Sequence, residues 1–93
     1  MKDEATERFC LLLKLEDIKI PWLEEKTGID KKRWSNIKYR GNPIRTIETQ
    51  ALSKVWPEYA YWLTTGEELP EAGQISPLSK LAQSSYKTAP KVG

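Results

Sequence analysis

The sequence predicts an all-α fold built as one compact domain. Three observations carry that prediction. Apolar residues recur at spacings of three and four, helix-capping and helix-stopping residues fall between those stretches, and no segment alternates apolar and polar residues over a useful length. A chain of 93 residues that is 39% hydrophobic, with four Trp and four Tyr, holds the bulk for one core and little for a second.

The elements follow in order. Ala5, Phe9, Leu12 and Leu13 mark one face of a first helix, and the region Glu16 to Lys19 breaks that pattern. Pro21 suits the first turn of a short second helix, where a missing N–H is harmless, and Gly28 supplies its left-handed stop. Asp30 then caps a third helix that buries Trp34 and Ile37. Gly41-Asn42-Pro43 ends it. Thr46 is expected to cap a fourth helix, with Ile47, Ala51, Leu52 and Val55 on its inner face. Pro57 opens a fifth, carrying Tyr59, Ala60, Trp62 and Leu63 and closed by Gly66. Residues 1–66 are thus expected to form the folded domain. Residues 67–93 are read as an acidic loop, a short helix begun by Ser76-Pro77 and running through Leu78, Leu81 and Ala82, and a frayed polar tail from Ser84.

Several chemistries are excluded. A lone cysteine, Cys10, forms no internal disulfide and no Cys-rich zinc site; beside the apolar run Phe9 to Leu13 it is expected to be buried and inert. Without histidine there is no His-based triad, general base or metal ligand. Thr64-Thr65, Ser84-Ser85 and the scattered carboxylates show no nucleophile–base arrangement. No apolar run approaches a membrane span, and the acidic start does not match a secretory signal. The expectation is a soluble cytoplasmic protein that is not an enzyme, with no cofactor, metal, membrane contact or small-molecule ligand.

The net charge of +2 is uninformative as a total, but its distribution is uneven. Residues 31–45 hold six cations (Lys31, Lys32, Arg33, Lys38, Arg40, Arg45) and no acid. The rest of the chain holds nine cations against 13 acids, net −4. The basic segment falls in a short helix, a tight Gly28-Ile29-Asp30 turn and a second helix, which is the layout of a helix-turn-helix.

Leu23-Glu-Glu-Lys-Thr-Gly-Ile-Asp, followed by Trp34, Ile37 and Gly41, resembles the helix-turn-helix of lambda-type repressors and Cro-like regulators. Trp62-Leu-Thr-Thr-Gly66 is similar to the end of that family's fifth helix, and the resemblance spans roughly residues 5–66. It implies a five-helix domain acting as a transcriptional regulator of phage or bacterial type, with repression the expected sense. It also implies a homodimer on near-palindromic duplex DNA, working in the bacterial or phage-infected host cell. The chain departs from the family pattern at Glu24, where a small residue is usual, at Thr27, where an apolar residue is common, and at Trp34, which is larger than the usual aliphatic.

Read from the residues themselves, Lys31, Lys32 and Arg33 stand in the first turn of the third helix. Exposed cations there oppose the helix dipole by roughly 0.3–1 kcal/mol each, a sign that a polyanion at the same end would reverse. These three, with Ser35 and Asn36 further along the exposed face, are the expected base contacts, Lys and Arg toward guanine and Asn toward adenine. Lys38, Tyr39, Arg40, Asn42 and Arg45 are expected to contact the DNA backbone, with Trp22 either joining them or packing inward. The expected dimer surface is the fifth helix with Glu67–Ala82, because Leu69, Ile75, Leu78 and Leu81 have no obvious place in the main core. The competing reading is a small helical adaptor or anti-regulator that sets its basic face against an acidic protein partner.

Overall fold

Asp3 caps the first helix by accepting a 2.8 Å hydrogen bond from the Thr6 N–H. Hydrogen bonding to the Thr6 side chain, and then to its backbone N–H, holds the Asp3 carboxyl below the usual carboxylate range. The structure, a computed structural model, describes residues 3–88, with side chains through residue 83. The chain is all-α, with six α-helices among the described residues: α1 (Glu4–Glu16), α2 (Ile20–Thr27), α3 (Lys31–Arg40), α4 (Thr46–Val55), α5 (Ala60–Thr65) and α6 (Pro77–Thr88). Short 3-10 turns at Pro57–Tyr59 and Pro70–Ala72 precede α5 and α6. Pro57 therefore opens a 3-10 turn and not the fifth helix itself, since α5 begins at Ala60.

One core joins these elements. Phe9, Leu12 and Leu13 come from α1, Leu23 from α2, Trp34 and Ile37 from α3, and Leu52 from α4. Trp56, Tyr59, Trp62 and Leu63 complete it. Each fully buried large apolar side chain contributes about 1.5–3 kcal/mol. Trp34 stacks on Phe9 at 5.3 Å between ring centroids, while Trp56, Tyr59 and Trp62 form a second run of ring contacts at 6.5 and 6.4 Å. α1 packs against α3, α5 and α6.

The helix ends explain the path of the chain. Gly28 adopts φ +76° and its N–H bonds the Glu24 carbonyl, a left-handed stop that only glycine takes without strain. Gly66 (φ +83°) closes α5, and there Arg8 of α1 donates to the otherwise open carbonyls of Leu63 and Thr64. A Cβ at Gly66 would lie 3.0 Å from the Arg8 guanidinium and crowd it, in addition to the backbone strain at this positive φ.

Residues after Gly66 turn back onto the body. Leu69 and Gln74 exchange backbone hydrogen bonds, the Gln74 side chain accepts from the Tyr61 N–H and donates to the Pro57 carbonyl, and the Ile75 N–H bonds the Glu58 carbonyl. Ile75 packs against the core, unlike Leu69, Leu78 and Leu81, which are exposed. Ser76 caps α6 through the Ser79 N–H, and Glu68 accepts from the Ser76 N–H and the Ser79 hydroxyl. Hydrogen bonding to the Ser76 side chain, and then to Ser79, holds the Glu68 carboxyl below the usual range. Lys80 fastens α6 to Glu58 at 3.2 Å. The backbone of residues 84–88, read from sequence as the start of a frayed tail, continues α6; residues 89–93 lie outside the described part.

Three local expectations are corrected. Ile47 is 62% exposed; the inner stripe of α4 begins with Glu48, which is 1% exposed, and continues through Leu52. Thr46 is the first helical residue and not the cap, because the Glu48 carboxylate reaches back to the Arg45 N–H at 2.7 Å. Cys10 is half-buried, beside Leu13 and Lys14 on an open groove.

Candidate nucleic-acid interface

α2 and α3 pack directly on each other across the three-residue turn Gly28-Ile29-Asp30. Two of the residues that depart from the resembled family's pattern explain this junction together. Trp34 is fully buried, and its indole N–H needs an acceptor. The Thr27 hydroxyl provides it at 3.2 Å, while donating to the Leu23 carbonyl and accepting from the Ile29 N–H. An apolar residue at position 27 would leave the larger ring unpaired. The third departure is also placed. The Glu24 carboxylate accepts the Lys31 N–H at 2.8 Å, next to the Asp30 carboxylate on the Lys32 N–H at 3.2 Å.

Those two carboxylates revise the dipole argument. The positive end of α3 already has two anionic partners, so the cations in its first turn are offset within the protein itself. What distinguishes this surface is where its side chains stand.

By helical periodicity Lys32 and Tyr39 lie at the middle of the outward face of α3, flanked by Lys31, Ser35 and Asn36. Lys31, Lys32, Tyr39 and Arg40 are exposed, and Ser35, Asn36 and Lys38 are half-buried. Tyr39 is 70% exposed, with the Lys38 ammonium 4.9 Å from its ring centre.

Arg33 is placed elsewhere. Its guanidinium donates to the Glu48 carboxylate at 3.0 and 3.2 Å and to the Pro43 carbonyl at 2.8 Å, and its side chain is 22% exposed. Arg33, expected among the base contacts, thus differs in setting from Lys31 and Lys32. It lies toward the Trp34–Ile37 side of α3, and its hydrogen-bonding fork is engaged inside the protein. Arg45 also touches Glu48, at 3.1 Å, yet its side chain is 64% exposed. Burial works to raise the Glu48 carboxyl, but the hydrogen bonds from Arg33 and then Arg45 outweigh it and hold that carboxyl below the usual range.

Trp22 is half-buried, 5.6 Å from Trp56 between ring centres, with the Lys26 ammonium 5.6 Å from its ring centre. It packs against the core as one of its two expected roles has it. Asn42 is half-buried, and its N–H bonds the Asn36 carbonyl at the end of α3.

Sequence inspection did not find two cations near this surface. Lys14 and Lys19, from α1 and the link after it, line an open groove of about 440 Å³ with Lys38 and Tyr39. They lie outside the basic segment and meet it only through packing. Among the described residues no group of three or more His, Cys, Asp or Glu is disposed to hold a metal ion. Among the described residues no helix is long and apolar enough to cross a membrane.

No family model matches the chain, and no curated protein matches it. The chain is similar in structure to Pf6r from the filamentous phage Pf6 of Pseudomonas aeruginosa PA01, with a TM-score of 0.78 and 29% sequence identity. The match covers 91% of this chain and 99% of that one, so it extends through the segment after Gly66 as well as the helices before it.

Proposed function

We propose that this chain is a sequence-specific duplex-DNA-binding regulator of phage or bacterial type, a repressor by preference, that works by occupying its site. The observation that carries the reading is the outward face of α3. Lys31, Lys32, Ser35 and Asn36 stand on a face turned away from the core, at the N-terminal end of a helix that a three-residue turn joins to α2. In this reading α2 and α3 are a helix-turn-helix, and these four side chains meet base edges in the major groove. Lys38, Tyr39, Arg40, Asn42 and Arg45 surround that face and position the DNA backbone, with Lys14 and Lys19 extending the cationic margin. The likeness to a filamentous-phage protein supports a phage setting.

A module of this size reads few bases, so the proposal includes a homodimer on half-sites about one helical turn apart. Leu69, Leu78 and Leu81, at 37, 53 and 51% exposed, support a pairing surface around α6. Leu78→Glu combined with Leu81→Glu should lower the dimer fraction in sedimentation; an unchanged fraction would remove this surface from the reading.

The main test is direct. The purified protein should bind duplex DNA at low salt and enrich one sequence from a random pool, and it should lose affinity steeply as salt rises. Failure to bind duplex DNA at low salt overturns the reading. A partner retained from lysate after nuclease treatment would favour the alternative, a helical adaptor that binds an acidic protein.

A further inference from the structure

The buried carboxylate of Glu48 is shared by two arginines from different elements. Arg33 belongs to the first turn of α3, and Arg45 ends the loop before α4. Arg33 also donates to the carbonyl of Pro43 in that loop, and Glu48 accepts the Arg45 backbone N–H. One side chain that is 1% exposed thus ties together the start of α3, the 41–45 loop and the start of α4. Two guanidinium groups against one carboxylate leave a surplus of one positive charge. That surplus is displayed at Arg45, the only exposed member of the three, at 64% against 22% for Arg33. Arg45 uses one nitrogen on Glu48, and a guanidinium carries five N–H donors, so most of its fork remains available to an oxyanion.

We infer that Glu48 is a positioning residue for DNA binding: by holding Arg33 and Arg45 on one carboxylate, it fixes the 41–45 loop and aims Arg45 at a single backbone phosphate relative to the outward face of α3. The inference rests on the DNA-binding reading above. A fixed phosphate contact sets the register in which α3 meets base edges, whereas non-specific binding requires only charge. Removing the negative charge of Glu48 should therefore act in opposite directions on the two modes of binding.

The test compares wild type with Glu48→Gln on the duplex selected by the wild-type protein and on a scrambled duplex of equal length, across a salt series. The temperature is chosen so that circular dichroism shows both proteins folded. Expected for Glu48→Gln is equal or tighter binding to scrambled DNA and a dependence on log salt steeper by up to about 0.9, one added uncompensated cation. The ratio of specific to non-specific affinity should fall about tenfold. A purely structural role would weaken both duplexes together and leave the ratio unchanged. Arg45→Lys, which leaves Glu48 in place and retains the charge without the planar fork, should keep the wild-type salt slope and lower the ratio several-fold. It decides the matter if Glu48→Gln does not fold. A wild-type protein that binds duplex DNA, with a ratio unchanged within twofold in the folded variants, overturns the positioning role and leaves the DNA reading standing. A wild-type protein that ignores duplex DNA overturns both.

Discussion

The two sides of α3 divide one helix into opposite chemistries. The inner side sets Trp34 on Phe9, gives its N–H to Thr27, and fixes Arg33 on the buried Glu48. The outer side carries Lys31, Lys32, Ser35, Asn36 and Tyr39 with no place in the core. Consecutive residues fall on opposite sides: Lys32 and Arg33, two adjacent cations, have different surroundings because a helix turns about 100° between them. Local composition alone is therefore a poor guide to role. A cation in a basic segment belongs to the surface or to the scaffold according to what its helix packs against.

Substitutions can break or sharpen this contrast, from the largest effect on folding to the smallest. Trp34→Ala should lower stability by about 3–5 kcal/mol, through lost burial and a cavity beside Phe9, measured by denaturant unfolding. Arg33→Ala should lower it by about 1.5–3 kcal/mol, because a buried carboxylate loses its principal charged donor and keeps only Arg45. That pair also has a pH signature. The folded state holds the Glu48 carboxyl below its ordinary value of 4.5, so its stabilising contribution is fully present above that pH and is lost as pH falls from there through the lower folded-state value. The acid side of a pH–stability profile should accordingly be flatter in Arg33→Ala than in wild type. An identical slope would show that Arg33 does not hold that carboxyl.

Thr27→Val keeps the shape of the side chain and removes the acceptor for the Trp34 N–H, and should lower stability by about 1–3 kcal/mol. The smallest folding effect belongs to the outer side. Lys32→Ala should change stability by no more than about 0.5 kcal/mol, yet weaken binding to the preferred duplex by about 1–3 kcal/mol with relaxed preference at one position. Equal losses of stability for Lys32→Ala and Arg33→Ala would erase the contrast between the two sides.

Much of the fold was legible in the sequence. Phe9, Leu12 and Leu13, Trp34 with Ile37, and Trp62 with Leu63 all lie in the core where helical periodicity placed them. Gly28, Gly41 and Gly66 stop helices with positive φ, as a residue without Cβ does most readily. Ile47 was misplaced for a physical reason. Apolar periodicity assigned α4 an inner face through the hydrophobic residue, whereas two arginines from elsewhere in the chain made it favourable to bury its charged neighbour. Lys14 and Lys19 were passed over because proximity to α3 arises from the packing of α1 against it, a relation that no local window contains.

By itself, then, the sequence determined the helical class, where the helices stop, and the concentration of positive charge between residues 31 and 45. These follow from local propensity, capping and composition, which act over a few residues. Only the tertiary structure decided how those cations are allotted: Arg33 to a carboxylate 15 residues away, Arg45 to the same carboxylate but open to solvent, Lys31 and Lys32 to the outer face. It likewise paired Thr27 with Trp34, tied residues 67–76 back to the Pro57–Tyr61 stretch and set Ile75 against the core. The physical reason is that buried charges and buried N–H groups are satisfied by whichever partner the packing of helices brings within 3 Å or so, and that distance is set by the whole fold.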